Sequence, residues 1–229
     1  MAPSMPPIPR PFPRFIADAP QEGRPYGRWA ERLEAEFAKA CEPHTGDAGA
    51  PLDPETVRWF PERSWGGRVY VPGSGSAAAR SPEGEQAESE QASDPVGVEY
   101  FGWVSFERPA EGEPAELSAK ADFTDVTADD NPHWKIDLSD DVIGNWNAEG
   151  DRGGDITLVW GLPLVRGAIA ATAELDEEVL DQAPVQDGRF TLVAVDAVRG
   201  FGDDLFVEVK LWDRTLREIA AESLYDEGE

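Results

Sequence analysis

Cysteine, histidine, methionine and lysine are all scarce in this 229-residue chain, and each scarcity removes a class of explanation. A single cysteine, Cys41, cannot close an internal disulfide, and two histidines are too few for a structural zinc site. No window approaches about eighteen uninterrupted apolar residues, so no membrane-spanning helix is expected. The N-terminus lacks the charged-then-apolar pattern of a secretory signal, which points to a soluble, cytoplasmic protein. Only four of the twenty basic residues are lysines (Lys39, Lys120, Lys135 and Lys210), against 46 acidic residues, for a formal net charge of −26. A surface this negative repels phosphates, which excludes nucleic acid and anionic membranes as ordinary partners.

What the chain does have is acid, proline and large aromatics. Eight tryptophans and ten phenylalanines suffice for a substantial core. The acid is unevenly spread. Residues 1–72 carry nine basic against ten acidic groups, whereas residues 73–229 carry eleven against thirty-six. Arginine over lysine, with abundant Ala, Gly, Asp and Glu, fits a GC-rich or salt-adapted source as well as a negative face for a basic partner.

Four stretches follow from composition and periodicity. Residues 1–25 hold eight of the twenty prolines, including the run Pro6-Pro7-Ile8-Pro9-Arg10-Pro11-Phe12-Pro13, and read as an extended arm. Residues 26–72 open with an amphipathic helix over Tyr26–Cys41, with Trp29, Leu33, Phe37 and Cys41 on one face and Cys41 a core thiol. Asp53 caps a helical turn or precedes a short strand at Val57–Phe60, and Arg68–Val71 is a strand ending at Pro72-Gly73. Residues 73–95, rich in Gly, Ser, Ala, Glu and Gln, read as an acidic linker unable to offset its ordering entropy.

Residues 96–229 alternate with period two and read as an antiparallel β domain. Val98–Phe106 and Leu117–Phe123 form a hairpin across Pro109–Pro114, and Trp134–Leu138 is a further strand. Ile156–Trp160 turns at Gly161-Leu162-Pro163 into Leu164–Gly167 as a second hairpin. Phe190–Val198 is apolar on both faces, and it pairs with Leu205–Trp212 across Gly200–Asp204. Residues 168–183 and 216–225 are open to helix or strand, with strand preferred and a helical turn near Leu175–Gln182. The fold class expected is mainly β: a sandwich or barrel-like domain with an N-terminal helix and a Pro-rich arm.

Candidate chemistry gathers between Asp122 and Asp155. Asn145-x-Asn147-x-Glu149-Gly150-Asp151 echoes the opening of a calcium loop, which would make a divalent cation the ligand; no organic cofactor is implied. Trp134 and Trp146, flanked by polar residues, are candidate binding aromatics together with Arg166. Asp129-Asp130-Asn131-Pro132-His133 resembles the Gly-Asp-x-Asn-Pro-x-His signature of R-specific enoyl-CoA hydratases, with Ala128 in the glycine position, and Pro163–Ile169 resembles the start of the central helix of that hot-dog family. The resemblance implies Asp129 and His133 as a hydration dyad acting on an acyl thioester, with a backbone N–H near Gly167 polarising the carbonyl. The reading preferred on the whole sequence is a non-enzymatic β-rich binding or assembly protein that holds a protein partner or another copy of itself. A hydratase, dehydratase or thioesterase and a calcium-binding β module are the alternatives.

Overall fold

The computed structural model describes residues 29–78, 97–108, 116–147, 153–175, 178–195 and 207–224. Helix α1 (Ala30–Cys41) buries Ala30, Leu33, Phe37 and Cys41 on the stripe expected from their spacing. A one-turn helix α2 (Thr45–Ala48) follows, then a 3₁₀ turn at Pro54–Thr56, where the Asp53 carboxylate accepts from the Glu55 N–H at 3.0 Å. Twelve strands come next: β1 (Arg58–Trp59), β2 (Arg63–Trp65), β3 (Arg68–Ser76), β4 (Glu99–Glu107), β5 (Leu117–Thr124), β6 (Ile136–Asn147), β7 (Gly153–Pro163), β8 (Ala170–Leu175), β9 (Glu178–Pro184), β10 (Phe190–Val195), β11 (Glu208–Trp212) and β12 (Glu218–Ser223). The protein is mainly β, as expected, and every pairing is antiparallel.

The strands form three sheets, none closed into a barrel. Sheet I runs β1-β3-β4-β5 with β2 also on β3, sheet II runs β10-β7-β6, and sheet III runs β12-β11-β8-β9. Three apolar clusters define how they stack. Leu33, Phe37 and Cys41 of α1 meet Val69, Val71, Tyr100, Val104 and Phe106 on one face of sheet I. Tyr70, Phe101 and Trp103 on its other face meet Leu158, Trp160 and Val193 of sheet II. Val159, Phe190 and Leu192 on the far side of sheet II meet Ala171, Ala173, Val209 and Leu211 of sheet III. Sheet II is therefore covered on both faces, which is why β7 and β10 read as continuous apolar runs instead of alternating ones.

At one seam, sheets II and III are joined by charge and not by a ladder. Arg63 of β2 donates to the carbonyls of Thr191 (3.0 Å) and Gln182 (2.8 Å) and to Asp181 at 2.7 Å; the Asp181 carboxylate in turn accepts from the Val193 N–H at 2.8 Å. One guanidinium so serves the edge carbonyls of β9 and β10 that a neighbouring strand would otherwise occupy.

Several expectations are corrected. The linker does not begin at residue 73, because β3 continues through Gly73-Ser74-Gly75-Ser76. Small residues are needed there for contact and not for freedom: a Cβ on Gly75 would lie 2.8 Å from Leu52 Cδ1. Residues 79–95 of that segment and the arm at residues 1–25 lie outside the described residues. Gly161-Leu162-Pro163 is no turn. β7 passes straight through it, and a Cβ on Gly161 would come within 2.5 Å of the Asp137 carbonyl oxygen on β6. Phe190–Val195 does not pair with Leu211's strand. β10 pairs with β7, while β11 lies between β8 and β12 in another sheet. Where a helical turn was expected near Leu175–Gln182, Leu175 ends strand β8 and residues 178–182 belong to strand β9, because alternating Ala171, Ala173 and Ala183 face sheet II and tertiary packing overrides helix propensity. The strand preferred over 216–225 is β12. In place of a capping box, the Asp213 carboxylate accepts from Thr215 and Arg217, holds itself far below the usual carboxylate range, and pins the β11–β12 turn.

Candidate functional site

A cleft of about 630 Å³ opens at one end of the interface between sheets I and II. Its position follows from strand register. On β3, Val69 and Val71 point to α1, so Tyr70, Ser74 and Ser76 point to sheet II. Ser74 pairs with Arg58 of β1, and Ser76 with Glu99 of β4, which places Arg58, Ser74 and Glu99 on one wall. Asp137 of β6 and its register partner Leu162 of β7 form the facing wall. The turn Thr127-Ala128-Asp129 closes one side and Ala48-Gly49-Ala50 another. That first turn is held by the Thr127 hydroxyl donating to Asp130 at 3.0 Å and by the Asn131 side-chain amide donating to the Thr127 carbonyl at 2.9 Å.

Among the described residues, three carboxylates, Glu99, Asp129 and Asp137, therefore line one concavity together with the guanidinium of Arg58. Asp137 sits deepest in the electrostatic sense. Burial pushes its carboxyl up to about 6; Glu99 and Asp129 push in the same direction, and Arg58 opposes them. Among the described residues, the side chains of Arg58, Glu99, Asp129 and Asp137 make no hydrogen bond or ion pair, and Ser74, a residue only 4% exposed, lines the cleft between them. Arg58 and Asp129 are exposed and Glu99 and Asp137 half-buried, so it is their gathering around one concavity, with Asp137 raised by burial, that gives the cleft the character of a ligand site. Farther along the same interface, the charges are internally paired. The Asp141 carboxylate accepts from the Trp103 indole N–H at 2.7 Å and forms an ion pair with Lys120.

The residues singled out from sequence do not gather in one place. Asp129 lines the cleft, but His133 is exposed and outside its lining, so the pair does not form a dyad across it. Arg166 is exposed in the connection before β8, and the helix that the hot-dog resemblance implies across this region is replaced by strands β8 and β9. Asn145 and Asn147 belong to strand β6, paired with Asp155 and Gly153, where a calcium loop would need a turn; Glu149 and Asp151 lie outside the described residues. No group of three or more His, Cys, Asp or Glu among the described residues is placed to hold a metal ion. Trp146 packs into the cluster between sheets I and II, and half-buried Trp134 donates its backbone N–H to Asn131. Cys41 is buried in the α1 cluster, which pushes its thiol up to about 12 and removes it from nucleophilic chemistry.

Sequence reasoning missed Arg58, Ser74 and Glu99, and left Asp137 undistinguished within the polar region between Asp122 and Asp155. One signal was present for Asp137: it alternates with Ile136 and Leu138 beside a strand apolar on both faces, and a neighbour of such a strand also has both faces covered. Comparison with protein-family models, curated proteins and solved structures gives no match for this chain. No helix among the described residues is long and apolar enough to cross a membrane.

Proposed function

We propose that the protein is a non-enzymatic binding module that holds a positively charged group of a protein partner in the cleft between sheets I and II. One observation carries this reading: Glu99, Asp129 and Asp137 face a common concavity and have no partner of their own among the described residues. A bound ammonium or guanidinium supplies the missing counter-charge, and hydrogen bonds to charged groups are the strong ones. The strongly acidic chain draws basic partners toward the cleft and turns anionic ones away. The test is calorimetric titration with a short lysine-containing peptide and with its glutamate counterpart. The lysine peptide is expected to bind, more weakly as salt rises, and Glu99→Gln or Asp137→Asn is expected to cost roughly tenfold in affinity. Equal binding of both peptides, or indifference to both substitutions, overturns the proposal.

A further inference from the structure

Arg58 fits poorly with a purely cationic occupant. It lies on the cleft wall beside Ser74, close enough to Asp137 to oppose the upward shift of that carboxyl, yet it forms no ion pair. A second guanidinium stands near it. Arg189 donates to the Trp59 carbonyl at 3.0 Å, and burial together with the positive charge of Arg58 lowers its affinity for its proton. The cleft therefore has a negative part, made by Glu99, Asp129 and Asp137, and a positive edge, made by Arg58. Ser74, a residue only 4% exposed, lies on the wall between Arg58 and Glu99. An internal basic segment would satisfy the carboxylates but leave Arg58 unpaired and repelled. A group with both charges satisfies both parts at once.

We infer that the cleft recognises a basic residue with a free α-carboxylate, the side-chain cation meeting Glu99 and Asp137 and the carboxylate meeting Arg58. This rests on the cleft being the binding site proposed above, and it names the chemistry of the occupant. The same chemistry is offered by the C-terminal lysine or arginine of a protein chain and by the free amino acid.

The experiment titrates the full-length protein with three probes: a hexapeptide ending in lysine as the free acid, the same hexapeptide as the C-terminal amide, and free lysine. The free acid is expected to bind roughly tenfold more tightly than the amide, the return of one charge-assisted contact. Arg58→Gln is expected to abolish that difference, because the free acid loses its guanidinium contact. Arg58 is exposed and makes no hydrogen bond, so the variant keeps its packing, which a matching thermal melt verifies. Free lysine binding as tightly as the free-acid peptide supports the inference and identifies the free amino acid as the source; much weaker binding supports it with a chain terminus as the source. Equal affinity for acid and amide, unaltered by Arg58→Gln but still weakened by Asp137→Asn, overturns the inference and leaves the cation-binding cleft standing. No binding of either peptide overturns both.

Discussion

Two polar clusters of this protein invite comparison because they use the same residue types in opposite ways. On the face of sheet III turned away from sheet II, Lys210 of β11 lies 2.7 Å from Glu174 of β8 and 3.0 Å from Glu208. The Glu174 carboxylate also accepts from the Thr172 hydroxyl at 2.9 Å, and that hydroxyl accepts from the Trp212 indole N–H at 2.9 Å. Burial alone would lower the Lys210 ammonium, but the hydrogen bonds to Glu174 and Glu208 hold it above its ordinary range. In the cleft between sheets I and II, half-buried Asp137 is raised chiefly by burial and makes no hydrogen bond or ion pair among the described residues. A charge that is closed on itself stabilises the fold or at least costs nothing; a charge left open in a concavity costs stability and is available to a ligand.

The largest effect that tests this contrast is at Glu174. Glu174→Ala leaves Lys210, 7% exposed, with only the more exposed Glu208 for company, and is expected to cost about 3 kcal/mol, a drop of roughly 10 °C in melting temperature. The double substitution Glu174→Leu with Lys210→Met removes both charges and is expected to recover most of the loss. Chemical denaturation of the three variants measures it. A single-variant loss below about 0.5 kcal/mol would place this pair with exposed ion pairs, whose net worth is small, and the contrast would collapse.

A smaller effect is expected at the seam between β9 and β10. Arg63→Met removes donors from Thr191, Gln182 and Asp181 together and is expected to cost about 2 kcal/mol. In a double-mutant cycle with Asp181→Asn, the two losses should fall short of additivity by at least about 0.5 kcal/mol, because both residues act in one network. Strict additivity would mean that the seam is held by packing and that the ion pair is incidental.

How much of this was legible in the sequence depends on which physical rule had the last word. Helix α1 and strand β5 were readable because each buries one face, so Leu33, Phe37 and Cys41 recur at helical spacing and Leu117, Ala119 and Ala121 alternate. β3 was cut short and β7 was broken because Pro72-Gly73 and Gly161-Leu162-Pro163 look like turns, whereas Gly73 and Gly161 are small where another chain segment comes close. Strand partners were hidden for a different reason. Alternation tells a strand's faces but not its neighbours, so β10 and β11, close in sequence, were paired although they belong to different sheets. The cleft was least legible of all, since Arg58, Ser74, Glu99 and Asp137 come from four strands and none lies in a motif. Asp129 alone was singled out, and for a chemistry whose second residue, His133, lies elsewhere.

The finest test of the contrast uses pH, because the two clusters should respond with opposite sign when a carboxylate is neutralised. Asp137 faces Glu99 from β4, Asp129 from the 127–131 turn and Arg58 from β1, and its carboxyl is raised in the folded protein to about 6. An unfolded aspartate titrates near about 3.9, so between these values the folded state binds more protons than the unfolded one, and stability falls as pH rises. The contribution of Asp137 is thus fully present below about pH 4 and lost as pH passes through 6. Asp137→Asn, which cannot ionise, should match the wild type near pH 4 and exceed it above pH 6 by about 1 kcal/mol, after allowing for solvent reaching the half-buried group. Urea denaturation of both proteins across that range measures the difference. If the two curves stay parallel from pH 4 to pH 7, the Asp137 carboxylate is not strained in the cleft, and the distinction between the closed and the open cluster loses its energetic basis.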